Sequence, residues 1–528
     1  MVRKRWVVGG VAAASATGAA IWAAPLAADP DGVKDCGPEV AKLAFDKAQA
    51  DAAAEPDWAQ AGGTVNDESC LNRTAIRGIV APATEAQLAD ALSYARANTL
   101  PVTAAGAKHS MGGQAFAKGG VVIDMRRMNA VRLDRAARTI TVGAGARWHD
   151  IQNKIHPEFA IKAMQSTDVF TVGGSIAVNA HGMDHRAGAM MGSIRSLRVM
   201  LADGRIVTAS REENPDLFRH VVGGYGLFGI VTEATLDVVP NAIYRSSRAV
   251  IATKDFPKTF AALEADREVG LTYTHLSTAP GSLLDEALVY RYTKVADETG
   301  LERAPLSEVG AVKLRRLTVN MSKRADWLKS LKWWTEKNIE HRIESCTVTR
   351  AQAMQDGEAC LVSRNDPMHD SVPYLYNKLR GETDILHEYF VPRAALLPFV
   401  ADLRASFKRH KTNLLNASIR AVEKEENALS YAPEPAFSVV LYINQPTDAA
   451  GNAEMDRLTR ELIDLTAKHG GRFFLPYQLH YSGEQLRRAY PEFDAFVAEK
   501  KKWDPEGLFR NRDRKSTRLN SSHIPLSR

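Results

Sequence analysis

The sequence predicts an α+β protein with two domains in its body, and three observations carry that reading. The chain has 528 residues, enough for two to four domains at the usual ~100–200 residues each. Hydrophobic residues make up 45% and charged residues 25%, the balance of a soluble globular protein rather than a disordered chain, a collagen or a polytopic membrane protein. Short strands and helices alternate from about residue 75 to 240; beyond that the strand-like stretches stand farther apart, with longer helices between them.

The elements follow in order. Residues 29–73 are Ala-rich and read as a helix and a connector, an N-terminal extension. Ala75–Pro82 reads as a short strand and turn. Thr84 then opens a helix: Leu88, Ala91, Leu92 and Ala95 recur at i, i+3, i+4 and i+7, and Thr84 with Gln87 has the pattern of a capping box. Pro101–Ala105, Val121–Met125 and Thr139–Gly145 read as strands, and Trp148–Ile155 as a helix. In the second half, Arg393–His410 reads as a helix and Phe437–Ile443 as a strand. The expected domains are residues 74–240 and 241–512.

The two ends differ from the body. Arg3, Lys4 and Arg5 precede a charge-free run, Trp6–Ala28, that closes in small residues. Residues 1–28 are therefore expected to be a signal peptide or a signal anchor. The protein is then exported, periplasmic or otherwise extracytoplasmic, and membrane-anchored if the segment is not cleaved. Residues 513–528 show no apolar period and read as a non-native tail. Residues 1–30 and 513–528 hold five of the six net positive charges, so the body is near neutral and no nucleic-acid surface is expected. The cysteines, Cys36, Cys70, Cys346 and Cys360, form no C-x-x-C pair, and no metal-ligand spacing occurs. In an exported protein Cys36 and Cys70 either pair or remain as buried thiols.

Two glycine-rich stretches carry the chemistry. One is Gly106-Ala107-Lys108-His109-Ser110-Met111-Gly112-Gly113; the other runs from Thr171 to Gly182. Such loops leave backbone N–H groups open to a pyrophosphate. Neither has the G-x-G-x-x-G pattern with an acidic residue downstream, and no P-loop is present. Taken singly, each reads better as a set of tight turns than as a ligand cradle.

Their order adds a resemblance. Gly106–Gly113, Gly119–Met125, Val142–Trp148, Phe170–Gly182, Ala202-Asp203-Gly204 and Gly223–Thr232 together resemble the flavin-binding domain of the vanillyl-alcohol oxidase/p-cresol methylhydroxylase superfamily. Asp504–Asn511 is a further match near the end. His181-Gly182 with Asp184, His185 and Gly188 resembles the aldonolactone oxidase and decaprenylphosphoryl-ribose oxidase branches. The resemblance implies a PCMH-type FAD-binding domain of two α+β subdomains, with an α+β cap carrying an antiparallel sheet. It implies a flavoprotein oxidoreductase that oxidises the CH–OH group of a sugar, polyol, lactone or related alcohol by hydride transfer to flavin N5. Oxygen, a quinone or another redox carrier would take the electrons. Amine, phenol or cytokinin-like substrates are the alternative, as is a non-catalytic flavin-binding protein. Cytokinin dehydrogenases use an Asp shortly after the second loop, where Arg198 stands here.

The same resemblance assigns roles. Gly106, Ala107, Lys108, His109, Ser110, Gln114, Thr171, Gly173, Gly174, Ser175, Asn179, His181, Gly229, Ile230 and Val231 are expected to hold FAD. His109 matches the histidine that bonds the flavin 8α carbon in histidyl-flavin relatives, and Ser166-Thr167-Asp168 stand where bicovalent relatives carry a Cys. His181 is a candidate to orient or deprotonate a substrate hydroxyl. Asn416–Arg420 resembles the Glu-x-Arg strand of aldonolactone and alditol oxidases, with Ser418 in place of the Glu and Arg420 kept. The Lys-bearing motif of the relatives is replaced by Gly471–His480, with Tyr477 and Gln478 as substitutes. The catalytic candidates are thus His181, Arg420, Tyr477 and Gln478.

Overall fold

A computed structural model describes residues 36, 54–339, 360–375 and 379–511. The expected signal (1–28) and tail (513–528) lie outside the described residues.

The first sheet sets the cofactor end. Gly78–Val80, Val121–Asp124 and Val102–Ala105 pair in parallel, and Trp58–Ala61 adds an antiparallel edge. Val121–Asp124 is buried along its whole length, as a strand covered on both faces requires. The helix Glu85–Ala97 buries Leu88, Ala91, Leu92 and Ala95. Thr84 caps it by accepting from the Gln87 amide at 3.3 Å, while the Gln87 side chain accepts from Ala83 N at 2.8 Å. The cap thus closes one residue earlier than a strict capping box. The C-terminus returns here: Val102 N donates to Leu508 O and Arg510 N to Val102 O.

Of the N-terminal extension only Cys36 and residues 54–73 are described, so the Ala-rich stretch expected to be a helix lies outside the described residues, and the connector holds strands. Trp58–Ala61 is a strand of the first sheet, and the turn after it braces the first glycine-rich stretch. Buried Asp67 accepts from Gly113 N at 2.8 Å and Asn72 Nδ2 at 2.8 Å. A Cys36–Cys70 disulfide with Cα atoms 5.0 Å apart ties this turn further.

The second sheet is antiparallel, in the order Ile206–Ser210, Ile194–Met200, Ile230–Pro240, Thr139–Gly143, Val131–Asp134. Ile230–Pro240 alternates buried and half-buried positions, the signature of a strand with one face inward.

The cap holds an eight-stranded antiparallel sheet. Four neighbouring strands within it are Val269–Leu276, Asn413–Val422, Ala436–Pro446 and Glu382–Pro392, in that order. Helices Phe256–Ala265, Leu396–His410 and Ala449–Lys468 pack against one face; Phe437 meets Phe256 and Phe260, and Tyr389 meets Phe399. The opposite face looks toward the FAD-binding half. The architecture is the expected one: two α+β subdomains and an antiparallel cap.

Candidate active site

Between the halves lies a cavity of about 960 Å³. Gly106–Ser110, Gln114, Thr171, Gly173, Gly174 and Gly229–Val231 line it from the FAD-binding side. His181, Glu388, Arg420 and Tyr477 line its inner end. The cap contributes one face of its sheet, including Tyr273, His275, Tyr290 and Ser418.

The two glycine-rich stretches work differently. Gly106–Ser110 leaves strand Val102–Ala105 as open turn, and among the described residues no backbone acceptor takes the Ala107 or Ser110 amide. A Cβ on Gly106 would sit 1.9 Å from Thr171 Oγ1, so the two stretches touch and only glycine fits. The second stretch is no loop: Val172–Ala177 is a short helix capped by Thr171. Gly173 N donates to Ala144 O at 2.8 Å and Ser175 N to Thr171 O at 3.0 Å. Those amides are spent inside the protein, which corrects the expectation that they face phosphate. Ser175 is buried, bonded through Oγ to Trp148 and Gln165, and does not line the cavity. Asn179 is corrected likewise. With φ at 47° it turns away, donating to Glu425 and accepting from Met191 N.

A dinucleotide fits this surface. The cavity is continuous from the open amides of the first stretch to polar groups that have no protein partner, Thr167 Oγ1, His275 Nδ1 and Arg420 Nε. His109 packs edge-on against Phe170, ring centres 5.2 Å apart. Gln114 Nε2 donates to Leu475 O and Tyr477 O, and Met111 N to Pro476 O. The cofactor stretch therefore positions the segment that carries Tyr477.

At the inner end sits a buried carboxylate that the sequence analysis did not select. Glu388 Oε1 lies 2.6 Å from His181 Nε2 and accepts from Ser438 Oγ; Tyr477 O–H donates to Oε2 at 3.2 Å. Both Glu388 and His181 are buried. His181 Nδ1 has no partner, so the geometry places the ring proton on Nε2, donating to Glu388. Burial works to raise the Glu388 carboxyl, but His181, Arg420 and Ser438 outweigh it and hold it below its ordinary value. Burial, then Glu388, pushes the Tyr477 phenol well up. Burial lowers Arg420, against the pull of Glu388 and Tyr477. The cluster is an ionised carboxylate ringed by donors.

Register relates Glu388 to Ser418. Ser418 pairs with Val440, and Val440 pairs with Glu388. Directly paired residues point to the same face, and neighbouring strands are about 4.8 Å apart. Glu388 thus stands in the same row as Ser418, two strands away and on the same face. The signal was a lone charge inside the apolar run Ile385–Val391, since charges are seldom buried without a partner.

Gln478 does not join this site. It is buried, donates to Ser69 Oγ at 3.3 Å and does not line the cavity. Arg198 is on the outside, paired with Glu85 at 2.8 Å. Asp184 caps the amides of Arg186 and Ala187 and pairs with Arg364.

Comparison with known proteins gives two matched regions. Residues 76–210 match the family model "FAD binding domain", and residues 234–517 match that of "D-arabinono-1,4-lactone oxidase". Cytokinin dehydrogenase 2 of Arabidopsis thaliana is 34% identical over 164 residues, 30% of this chain and 32% of the relative. An uncharacterised oxidoreductase in the fasciation locus of Rhodococcoides fascians is 34% identical over 165 residues, 30% of this chain and 36% of the relative. The chain thus spans about a third of the length of these two relatives. Decaprenylphosphoryl-beta-D-ribose oxidase of Mycolicibacterium smegmatis is 23% identical over 426 residues, 77% of this chain and 87% of the relative. The second family model covers more than half of the chain and the first covers the cofactor stretch, so the chain belongs to the D-arabinono-1,4-lactone oxidase family of FAD-linked oxidoreductases, with FAD as its cofactor.

Proposed function

We propose that this oxidoreductase oxidises a CH–OH carbon of a sugar, polyol or lactone. The observation that supports this most directly is the Glu388–His181 pair with Tyr477 and Arg420 around it. Arg420 and the Tyr477 hydroxyl hold the substrate oxygen at the inner end of the cavity. The pair receives the hydroxyl proton: Glu388 is ionised, and His181 keeps it so through Nε2. Tyr273 and Tyr290 offer flat apolar faces on the cap side, suited to a sugar ring. FAD, when bound, supplies the hydride acceptor. The electron acceptor is oxygen, a quinone or another redox carrier.

We also propose a single covalent flavin link at His109, which lines the cavity beside Phe170, and export of the protein, with which the Cys36–Cys70 disulfide is consistent. Acid precipitation of the purified protein tests the first: flavin stays in the pellet if bonded and is released if not. N-terminal sequencing of the mature protein tests the second: an intact Met1 on soluble cytoplasmic protein overturns it.

The deciding experiment is an anaerobic screen of sugars, polyols, lactones, amines and phenols for bleaching of the bound flavin. Reduction by a CH–OH compound alone supports the reading. Reduction only by an amine or phenol, or by nothing, overturns it.

A further inference from the structure

Beside the same cavity, which Glu308 and His369 line, three residues far apart in sequence meet. His149 opens the helix Trp148–Ile155 of the FAD-binding half, His369 follows a short turn of the cap, and Glu308 belongs to the cap segment before the helix Val312–Ser322. One donor atom from each lies within 4.8 Å of the other two. His149 Nε2 is 3.3 Å and His369 Nε2 4.0 Å from Glu308 Oε1.

Buried Asp168 sets how the rings present themselves. Its Oδ2 lies 2.9 Å from His149 Nδ1 and 3.1 Å from His369 Nδ1, while Oδ1 accepts from Ser371 Oγ. Gln152 Oε1 also lies 3.1 Å from His369 Nδ1. Carboxylate and amide oxygens only accept, so both Nδ1 atoms carry a proton, and in the neutral rings that ligate a metal both Nε2 atoms offer a lone pair. His149 Nε2 faces the exposed Asn153 amide at 3.2 Å as well as Glu308. His369 Nε2 is buried with no hydrogen-bond partner, on a residue only 6% exposed. Three electron-pair donors therefore converge, one of them desolvated and unsatisfied. A buried acceptor left in that state carries a cost that a cation removes.

We propose that His149, Glu308 and His369 form a site for a divalent cation of the zinc class. Two imidazoles and one carboxylate suit that class better than magnesium or calcium, which favour oxygen ligands throughout. A carboxylate that orients ligating histidines through their other ring nitrogen is the usual support of such a site. Metal–ligand bonds of about 2.0–2.1 Å draw the three atoms to roughly 3.4 Å from one another, so binding closes Glu308 and His369 onto His149, with water completing the coordination. The ion staples two cap segments to the FAD-binding half beside Ser166, Thr167, Val169 and Phe170, which line the flavin cavity. Its role is to fix the rim.

The test uses untagged, flavin-loaded protein stripped with a chelator and supplied with Zn²⁺. The expected result is one zinc retained per chain after desalting, and a higher unfolding temperature with zinc than without. Glu308→Gln alters a side chain that is 72% exposed, so it leaves the fold intact. It and His149→Asn should each weaken zinc binding at least tenfold and abolish the thermal shift. No retained zinc in the wild type overturns the proposal. So does equal binding by wild type and Glu308→Gln, which would mark adventitious binding to surface groups only.

Discussion

In the FAD-binding half the cofactor groups reach the cavity as contiguous stretches, Gly106–Ser110 and Gly229–Val231. In the cap half Glu388, Arg420 and Tyr477 come from two strands and a turn, with 89 residues between the first and last. The first arrangement needs only local backbone geometry. The second exists only once three strands have paired in one register, because a slip of one residue would turn Glu388 to the helical face. Under the proposed function the first half holds the cofactor and brings His181, while the cap brings the carboxylate, the guanidinium and the phenol that act on the substrate.

The sharpest way to break this division is Glu388→Gln. It removes the carboxylate charge at constant shape, and loss of a proton acceptor costs about 10²–10⁴-fold in rate. Stopped-flow measurement of anaerobic flavin reduction should show that fall with flavin content unchanged. Lost flavin with an unchanged rate per bound flavin would reverse the assignment. Tyr477→Phe removes one hydrogen bond to a charged group, worth about 1.5–3 kcal/mol, so the same rate should fall roughly 10- to 100-fold. Gly106→Ala is the matching probe on the other side. Its new Cβ meets Thr171 Oγ1, and overpacking of this kind costs about 1–3 kcal/mol. Flavin content and unfolding temperature should both drop, while the turnover of the chains still loaded stays close to the original.

How much of this was legible in the sequence follows the same line. Thr84 as cap, the helix Trp148–Ile155 and the strands of the first sheet rest on local patterns and match the structure closely. The second glycine-rich stretch was misread because Gly173 and Gly174 weaken a helix by about 1 kcal/mol each; Thr171 and packing against Ala144 supply the difference. Glu388 escaped selection because its strand is buried almost throughout. With both faces covered there is no alternation to tell which face His387 takes and which Glu388 takes. Gln478 was chosen for its place in a motif, yet Tyr477 alone of the two turns to the cavity.

The cap also carries a pH signature. Burial lowers His275 to about 4 and His387 to about 3. Both stay neutral in the fold, whereas the unfolded chain takes up protons near pH 6.5. A depressed pKa gives stability that is present above the unfolded value and lost as pH falls through the folded one. The unfolding temperature should therefore decline from pH 6.5 toward pH 4, and His387→Gln should flatten that slope. A flat profile in the wild type would mean the histidines titrate freely and the cap face is wetter than its packing implies.

The smallest effect is expected at Arg198, and it tests the comparison with the cytokinin dehydrogenases. If Arg198 occupied the place of their catalytic Asp, its replacement would change the rate. Here its side chain is 47% exposed, paired with Glu85 on the outer side, and absent from the cavity lining. An exposed ion pair contributes about 0–1 kcal/mol, because water and salt screen the charges and two long side chains must be held in place. Arg198→Ala should thus leave flavin reduction within twofold and shift stability by less than about 1 kcal/mol, with the shift shrinking further as salt is added. A tenfold loss of rate at unchanged flavin content would place this strand beside the substrate and would add a second group of the FAD-binding half, after His181, to the catalytic machinery.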